Sequence, residues 1–278
     1  MEKTLILNNV EYRYATYDCE GSDNYGVFLL GALQEIATVE FFSKFFARTL
    51  NIIVIEAPGT GENAVLPGTV TIREQSEMVL GLIQYLGVEE AHIFAVSYGT
   101  AIGVELCDIW NGVKSLSVAC GVPGIPESAR MATIDVIAAA RRDRKTFANT
   151  FVNVLTVDKD IIPKNGVIRR SVIRSVAKYD DYRATSFIEN SIRLLAHKPT
   201  NLAAVSMPAV VIVGEHDPYA TLKITKSFAD QLPNAHFVVL KDADHLLHLQ
   251  QPEKLAQALI ALAKNQIRTT EEFKQLAS

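Results

Sequence analysis

Three side chains far apart in the chain, Ser97, Asp217 and His245, have the types and the order of a nucleophile, an orienting acid and a base. A serine hydroxyl attacks acyl carbons poorly at neutral pH and needs a base within hydrogen-bond reach, itself held by a third group. The chemistry such a set performs is acyl transfer through a covalent ester on the serine. Ser97 stands out because of its setting. In "IFAVSYGTAIGVEL" (93–106) an apolar run that reads as a buried strand ends at Val96, and a helical pattern begins at Tyr98. Ala95-Val96-Ser97-Tyr98-Gly99 is a small-x-Ser-x-Gly pentapeptide, with alanine where glycine is commoner. The small positions have a physical reason: a strand turning sharply into a helix brings neighbouring backbones close and puts the serine into a strained conformation. A turn filled by a small polar residue is the structural alternative.

Acid and base are placed by the strands that precede them. "VVIVGEHDPYAT" puts Asp217 just past the penultimate strand, with Pro218 ending the extended pairing, and "HFVVLKDADHLLHLQQPE" puts His245 just past the last. Glu215 competes for the acid and His248 for the base, although helical spacing should carry His248 away from the strand end. Asp242 and Asp244 read as loop or capping groups. An oxyanion needs donors fixed in advance. The N–H of Tyr98, directly after the serine, is one; the N–H of Ala32, after Gly31 in the turn closing "VFLLGA", is the other, with Leu33 as the alternative.

The elements that position these residues alternate. "TLILNNVEYRYATY" reads as an antiparallel hairpin turning at Asn8-Asn9. Short apolar runs follow at Tyr25–Ala32, Leu50–Glu56, Ala91–Val96, Val113–Cys120 and Pro208–Glu215, each suited to a strand covered on both faces. Helical patterns lie between them. In Thr71–Leu86 a Thr71/Glu74 capping box precedes Val79, Leu82, Ile83 and Leu86 on one face. Further helices are expected at Thr221–Gln231 and Pro252–Lys264. The fold class is therefore α/β, a mostly parallel doubly wound sheet. Residues 123–205 break the rhythm with helical stretches such as Arg130–Arg142 and Tyr182–His197 and no convincing strand. The expected division is a core from 1–122 and 206–278 with a helical cap, 123–205, inserted between.

Composition bounds the rest. The chain has 278 residues, 49% hydrophobic and 21% charged, with a net charge of −4, the balance of a globular protein able to bury a large core. Its acidity argues against nucleic acid. The N-terminus lacks a signal-peptide pattern and no apolar run is long enough to span a membrane, so the expected location is the cytoplasm. Cys19, Cys107 and Cys120 lack metal-ligand spacing, which suits reduced thiols and no metal site. "IEAPGTGEN" carries Gly59 and Gly61 after a strand, but neither a third glycine nor a helix follows as dinucleotide binding requires, and no cofactor is expected. Charge is unevenly spread: residues 123–205 hold 14 Lys+Arg against 8 Asp+Glu, leaving 13 against 23 elsewhere.

With these residues in place the chain resembles the α/β-hydrolase fold throughout. More closely, it is similar to a bacterial acyltransferase group that includes the synthase of the β-hydroxyacyl dimer of rhamnolipids and the β-hydroxyacyl carrier-protein to coenzyme A transacylase. "LLGALQEIATVEFF", "EAPGTGEN", the aromatic Tyr98 and "GEHDPYATLKITKSFADQLPNAHFVVLKDADHLLHL" carry the likeness. Leu30-Gly31 stands where that group tends to have Asn-Gly, and Tyr98 where it tends to have Trp; both departures flank the oxyanion turn and bear on substrate identity. The resemblance implies a serine acyltransferase acting on a β-hydroxyacyl thioester of an acyl carrier protein or coenzyme A. A hydrolase of esters, thioesters or lactones with the same triad is the first alternative, and a non-catalytic ligand-binding protein of this fold the second. Acidic carriers would give the basic middle segment, densest at Arg141, Arg142 and Arg144, a docking use; solvation of helix faces by long side chains is the alternative.

Overall fold

A computed structural model describes residues 2–264. Eight strands form one sheet: β1 Glu2–Leu7, β2 Val10–Tyr17, β3 Tyr25–Leu29, β4 Asn51–Glu56, β5 Ala91–Val96, β6 Val113–Ala119, β7 Ala209–Gly214 and β8 Ala235–Leu240, in the order β1-β2-β4-β3-β5-β6-β7-β8. Only β2 runs against its neighbours, and β3 to β8 are parallel. The β1–β2 turn is the Asn8-Asn9 pair, with φ of 51° and 63°, the left-handed values of a tight hairpin.

Around the sheet lie α1 Glu40–Phe46, α2 Ile72–Tyr85, α3 Gly99–Ile109, α8 Leu222–Ala229, the single turn α9 Leu247–Gln250 and α10 Pro252–Ile260. α2 starts as its sequence dictates: the Thr71 side chain accepts from the Glu74 N–H and the Glu74 carboxylate accepts from the Thr71 N–H. One apolar layer, with Val79, Leu82, Ile83 and Ile102, packs beneath one face of the sheet. A second, with Phe28, Phe46, Phe94 and Leu259, covers the other. Burying each such side chain contributes roughly 1.5–3 kcal/mol, which makes the sheet a rigid platform for residues at its carboxyl edge.

Element ends shift by up to four residues from the sequence reading, as where α10 ends at Ile260 rather than Lys264, and two differences bear on the core and the site. β3 ends at Leu29 rather than Ala32, because the chain must turn there over the start of α3: a Cβ on Gly99 would lie 2.7 Å from the Leu29 carbonyl oxygen. α1 has no counterpart in the reading, since "EFFSKFF" is short and rich in weak helix formers; it is held by packing, with Phe46 stacked at 4.9 Å on Phe94 of β5.

Between β6 and β7 four helices interrupt the alternation: α4 Glu127–Arg142, α5 Arg144–Leu155, α6 Asn165–Val176 and α7 Asp181–Ala196. They share a small core of their own, in which Phe147 lies 4.9 Å from Phe187. None of the described helices is long and apolar enough to cross a membrane.

Candidate active site

Ser97 sits on the corner between β5 and α3 with φ of 47°, a left-handed value that costs a non-glycine residue energy and persists only where surroundings impose it. Its N–H is tied to the Ala119 carbonyl of β6 at 2.9 Å. The small neighbours explain how the corner closes. Besides the Gly99 contact, a Cβ on Gly121 would fall 2.7 Å from the Ser97 carbonyl oxygen.

From Ser97 a chain of hydrogen bonds runs inward. Ser97 Oγ lies 3.1 Å from His245 Nε2, and His245 Nδ1 lies 2.8 Å from Asp217 Oδ2. The other carboxylate oxygen, Oδ1, accepts from the N–H groups of Tyr219 and Ala220 at 2.9 and 2.8 Å, so the loop after β7 fixes the acid's orientation. Burial pulls the His245 imidazole toward its neutral form. The charge and hydrogen bond of Asp217, together with Asp244, outweigh that and hold its pKa above the ordinary value.

The rivals fall elsewhere. Glu215 accepts from the Asp242 N–H and pairs with His216, and makes no contact with His245. Asp244 is a capping group, as its position suggests, accepting from Leu246 N–H and Gln250 Nε2, and it also accepts from Val157 N–H of the inserted segment. His248 differs from expectation: it is not carried away but lines the same cavity as Ser97, with burial and the neighbouring His245 pulling its pKa down to about 4. The helix there is a single turn, too short to rotate the side chain clear.

That cavity, about 370 Å³, lies between the sheet edge and the inserted helices. Leu33, Val136, Phe151, Val172 and Phe187 make it largely apolar, while Ala32 and Tyr98 border it beside Ser97. At Gly31, which precedes Ala32, a Cβ would lie 3.4 Å from Ser97 Cβ. Among the described residues no protein acceptor takes the N–H of Ala32 or Tyr98. The Gly-rich turn after β4 is used in packing, since a Cβ on Gly61 would meet the buried Glu56 carboxylate, which accepts from the Ile36 and Glu62 N–H groups.

Several residues of the site carry no local sequence signal. Tyr219 stands edge-on to His245 with ring centroids 5.8 Å apart, and its hydroxyl meets Thr133 Oγ1 of α4 at 2.8 Å. The Cys120 thiol lies beside Asp217 and His245, its pKa pushed well up by burial. The Tyr98 side chain turns away from the cavity into a buried polar network, donating to Gln75 Oε1 at 2.6 Å and meeting Asn190 and Arg193 of α7. These side-chain placements depend on elements far apart in the chain and have no local signal, unlike the order Ser97, Asp217, His245 and the turn positions of Tyr98 and Ala32.

Residues 27–258 match the model of the alpha/beta hydrolase family, and the chain belongs to that family. It is similar to 3-oxoadipate enol-lactonase 1 of Acinetobacter baylyi, 25% identical over 222 residues covering 77% of this chain and 79% of the other. It is also similar to (R)-3-hydroxydecanoyl-ACP:CoA transacylase of Ectopseudomonas oleovorans, 22% identical over 86% of this chain and 83% of that one. Among solved structures, an alpha/beta hydrolase enzyme from a Medee basin deep-sea metagenome library superposes with a TM-score of 0.86 at 15% identity, covering 96% and 98% of the two chains.

Proposed function

We propose that the protein is a serine acyltransferase that moves a β-hydroxyacyl group from a carrier-protein or coenzyme A thioester through an ester on Ser97. The observation that carries this reading is the hydrogen-bonded series Ser97–His245–Asp217 at the floor of a largely apolar cavity. His245 Nε2 takes the Ser97 proton as Oγ bonds to the thioester carbon. The N–H groups of Tyr98 and Ala32 receive the oxyanion, the thiolate leaves with the proton from His245, and an acceptor hydroxyl or thiol, deprotonated by the same imidazole, takes the acyl group. Residues 123–205 act as a cap, shielding the acyl-enzyme from water, on a core formed by the described parts of 1–122 and 206–278, residues 265–278 lying outside the described residues. The likeness to a 3-hydroxydecanoyl transacylase supports the choice of acyl group. A second reading, hydrolysis of an ester or lactone by the same residues, is favoured by the likeness to an enol-lactonase.

The test is intact-protein mass after mixing with a β-hydroxydecanoyl carrier-protein thioester, beside Ser97→Ala. An acyl adduct on wild type alone, with transferred or dimeric acyl product, is the expected result, and Ser97→Ala should lower turnover by roughly 10⁴-fold or more without loss of fold. Free acid as the sole product moves the assignment to the hydrolase. Undiminished turnover in Ser97→Ala refutes both.

A further inference from the structure

The cavity over Ser97 reaches the surface along α6. Ser171 and Ser175, one turn apart on that helix, line the cavity and are exposed, and α6 packs against α9, whose Leu249 forms part of the opposite rim with 44% exposure. The same exposed stripe of α6 continues through Val167, Arg170 and Arg174 to Lys178 just past its end. Spacings of three and four residues place these on one face.

The charge of this face is one-sided. Residues 161–179 contain five Lys and Arg and no Asp or Glu. Arg169 is paired with Asp158 at 3.0 Å, whereas Lys164, Arg170, Arg174 and Lys178 have no ion-pair partner among the described residues. Elsewhere in the inserted helices Arg130 pairs with Glu127, Arg142 with Asp143, Arg144 with Asp181, and Arg183 with Glu35 and Glu62, while Arg193 is held by carbonyls and Arg141 has no carboxylate partner among the described residues. The longest run of cations without an ion partner therefore lies on α6, next to the cavity-lining Ser171 and Ser175, rather than at 141–144, where Arg142 and Arg144 are paired. Like charges four residues apart, Arg170 with Arg174 and Arg174 with Lys178, oppose helix formation. The negative end of the helix dipole offsets this for Arg174 and Lys178 but not for Arg170.

We propose that the exposed face of α6 docks an acidic acyl carrier protein, whose thioester arm enters between α6 and α9 to reach Ser97. This rests on the acyl-transfer reading above. A carrier fits better than coenzyme A because of extent and shape. The cations run along a convex helix surface for about 20 Å from Lys164 to Lys178 at 1.5 Å per residue, more than the phosphates of one nucleotide engage, whereas an acidic helix laid alongside meets all of them.

Two proteins, Arg170→Glu/Arg174→Glu/Lys178→Glu and the milder Arg170→Gln/Arg174→Gln, test this against wild type in two assays. The first compares kcat/KM for a β-hydroxyacyl carrier protein, the matching coenzyme A thioester and the matching pantetheine thioester without phosphate. The second titrates binding of holo carrier protein directly. Charge reversal should lower kcat/KM for the carrier by roughly 30-fold at low salt, through KM, leave the pantetheine thioester within about twofold, and weaken carrier binding in parallel, with the glutamine pair in between. A carrier unaffected by reversal, or affected no more than pantetheine, overturns the proposal. A coenzyme A loss as large as the carrier's reassigns the stripe to phosphate and likewise overturns it. Should wild type turn over neither thioester, the acyl-transfer reading fails. Carrier binding that still depends on the stripe would then uphold the docking surface by itself, and no binding would end both.

Discussion

Arg193→Met should be among the most destabilising single changes in this chain. The Arg193 guanidinium is 1% exposed and faces no carboxylate. Its Nε donates to the Val70 carbonyl, Nη2 to the carbonyls of Leu66 and Pro67 at 3.0 and 2.9 Å, and Nη1 to Asn190 Oδ1 and to the Tyr98 hydroxyl. One side chain thus ties α7 to the loop before α2 and to the residue after Ser97. Methionine fills similar space but takes this donor from the half-buried carbonyls of Leu66 and Val70, while Pro67 keeps the Val70 N–H and Asn190 Oδ1 keeps the Tyr98 hydroxyl. Hydrogen bonds to a charged group contribute about 1.5–3 kcal/mol each, so the gross loss is large. Relief of the buried cation's desolvation, several kcal/mol, offsets much of it. The net expectation is about 3–5 kcal/mol, or a fall in Tm of roughly 6–15 °C for a chain of this size. Arg193→Lys, which keeps the charge but not the planar fork, should fall in between. Thermal unfolding followed by circular dichroism at a fixed scan rate reads both. A Tm within about 2 °C of wild type for Arg193→Met would show that the network does not hold the inserted helices to the core.

The pH profile of kcat/KM should fall on the acid side as His245 takes up a proton, because the base must be neutral to accept from Ser97. Since Asp217 holds that imidazole above its ordinary value, half-maximal rate should lie above about pH 6.5. His248 stays neutral over the same range, so the limb should have the slope of one proton; a midpoint below 6 or a two-proton slope counts against this pairing. Gly99→Ala drives a Cβ to 2.7 and 2.9 Å from the carbonyl oxygens of Leu29 and Leu30, which are backbone and cannot swing aside. It should cost about 1–3 kcal/mol and at least tenfold in activity by moving the turn that carries Ala32. Gly81→Ala, whose Cβ meets nothing closer than the Tyr12 hydroxyl at 4.0 Å, should instead stabilise α2 by about 0.5–1 kcal/mol. Denaturant titration of the two variants gives shifts of opposite sign if the contacts are as described.

What the sequence determined by itself was local. The Asn8-Asn9 turn, the Thr71/Glu74 capping box, the strand β5 ending at Ser97 and the alternation of apolar runs with helical patterns are all signals carried within a few residues, where backbone preference and periodicity act directly. The order Ser97, Asp217, His245 could be read because each follows a recognisable strand. Tertiary structure decided what depends on distance between separate elements. His245 and His248 are chemically alike and both reach the cavity, and only the 3.1 Å approach to Ser97 separates them. Glu215 and Asp217 are two residues apart, and the loop after β7 turns only the second toward the imidazole. The Arg193 network joins residues more than 90 positions apart, and the basic stripe of α6 emerges only when its exposed face is known and the partners of the other arginines have been found. Composition located the excess charge in the inserted segment. Which cations remain unpaired, and that they flank the cavity-lining Ser171 and Ser175, follows from packing, because ion pairing and burial are settled by neighbours the chain brings together only on folding.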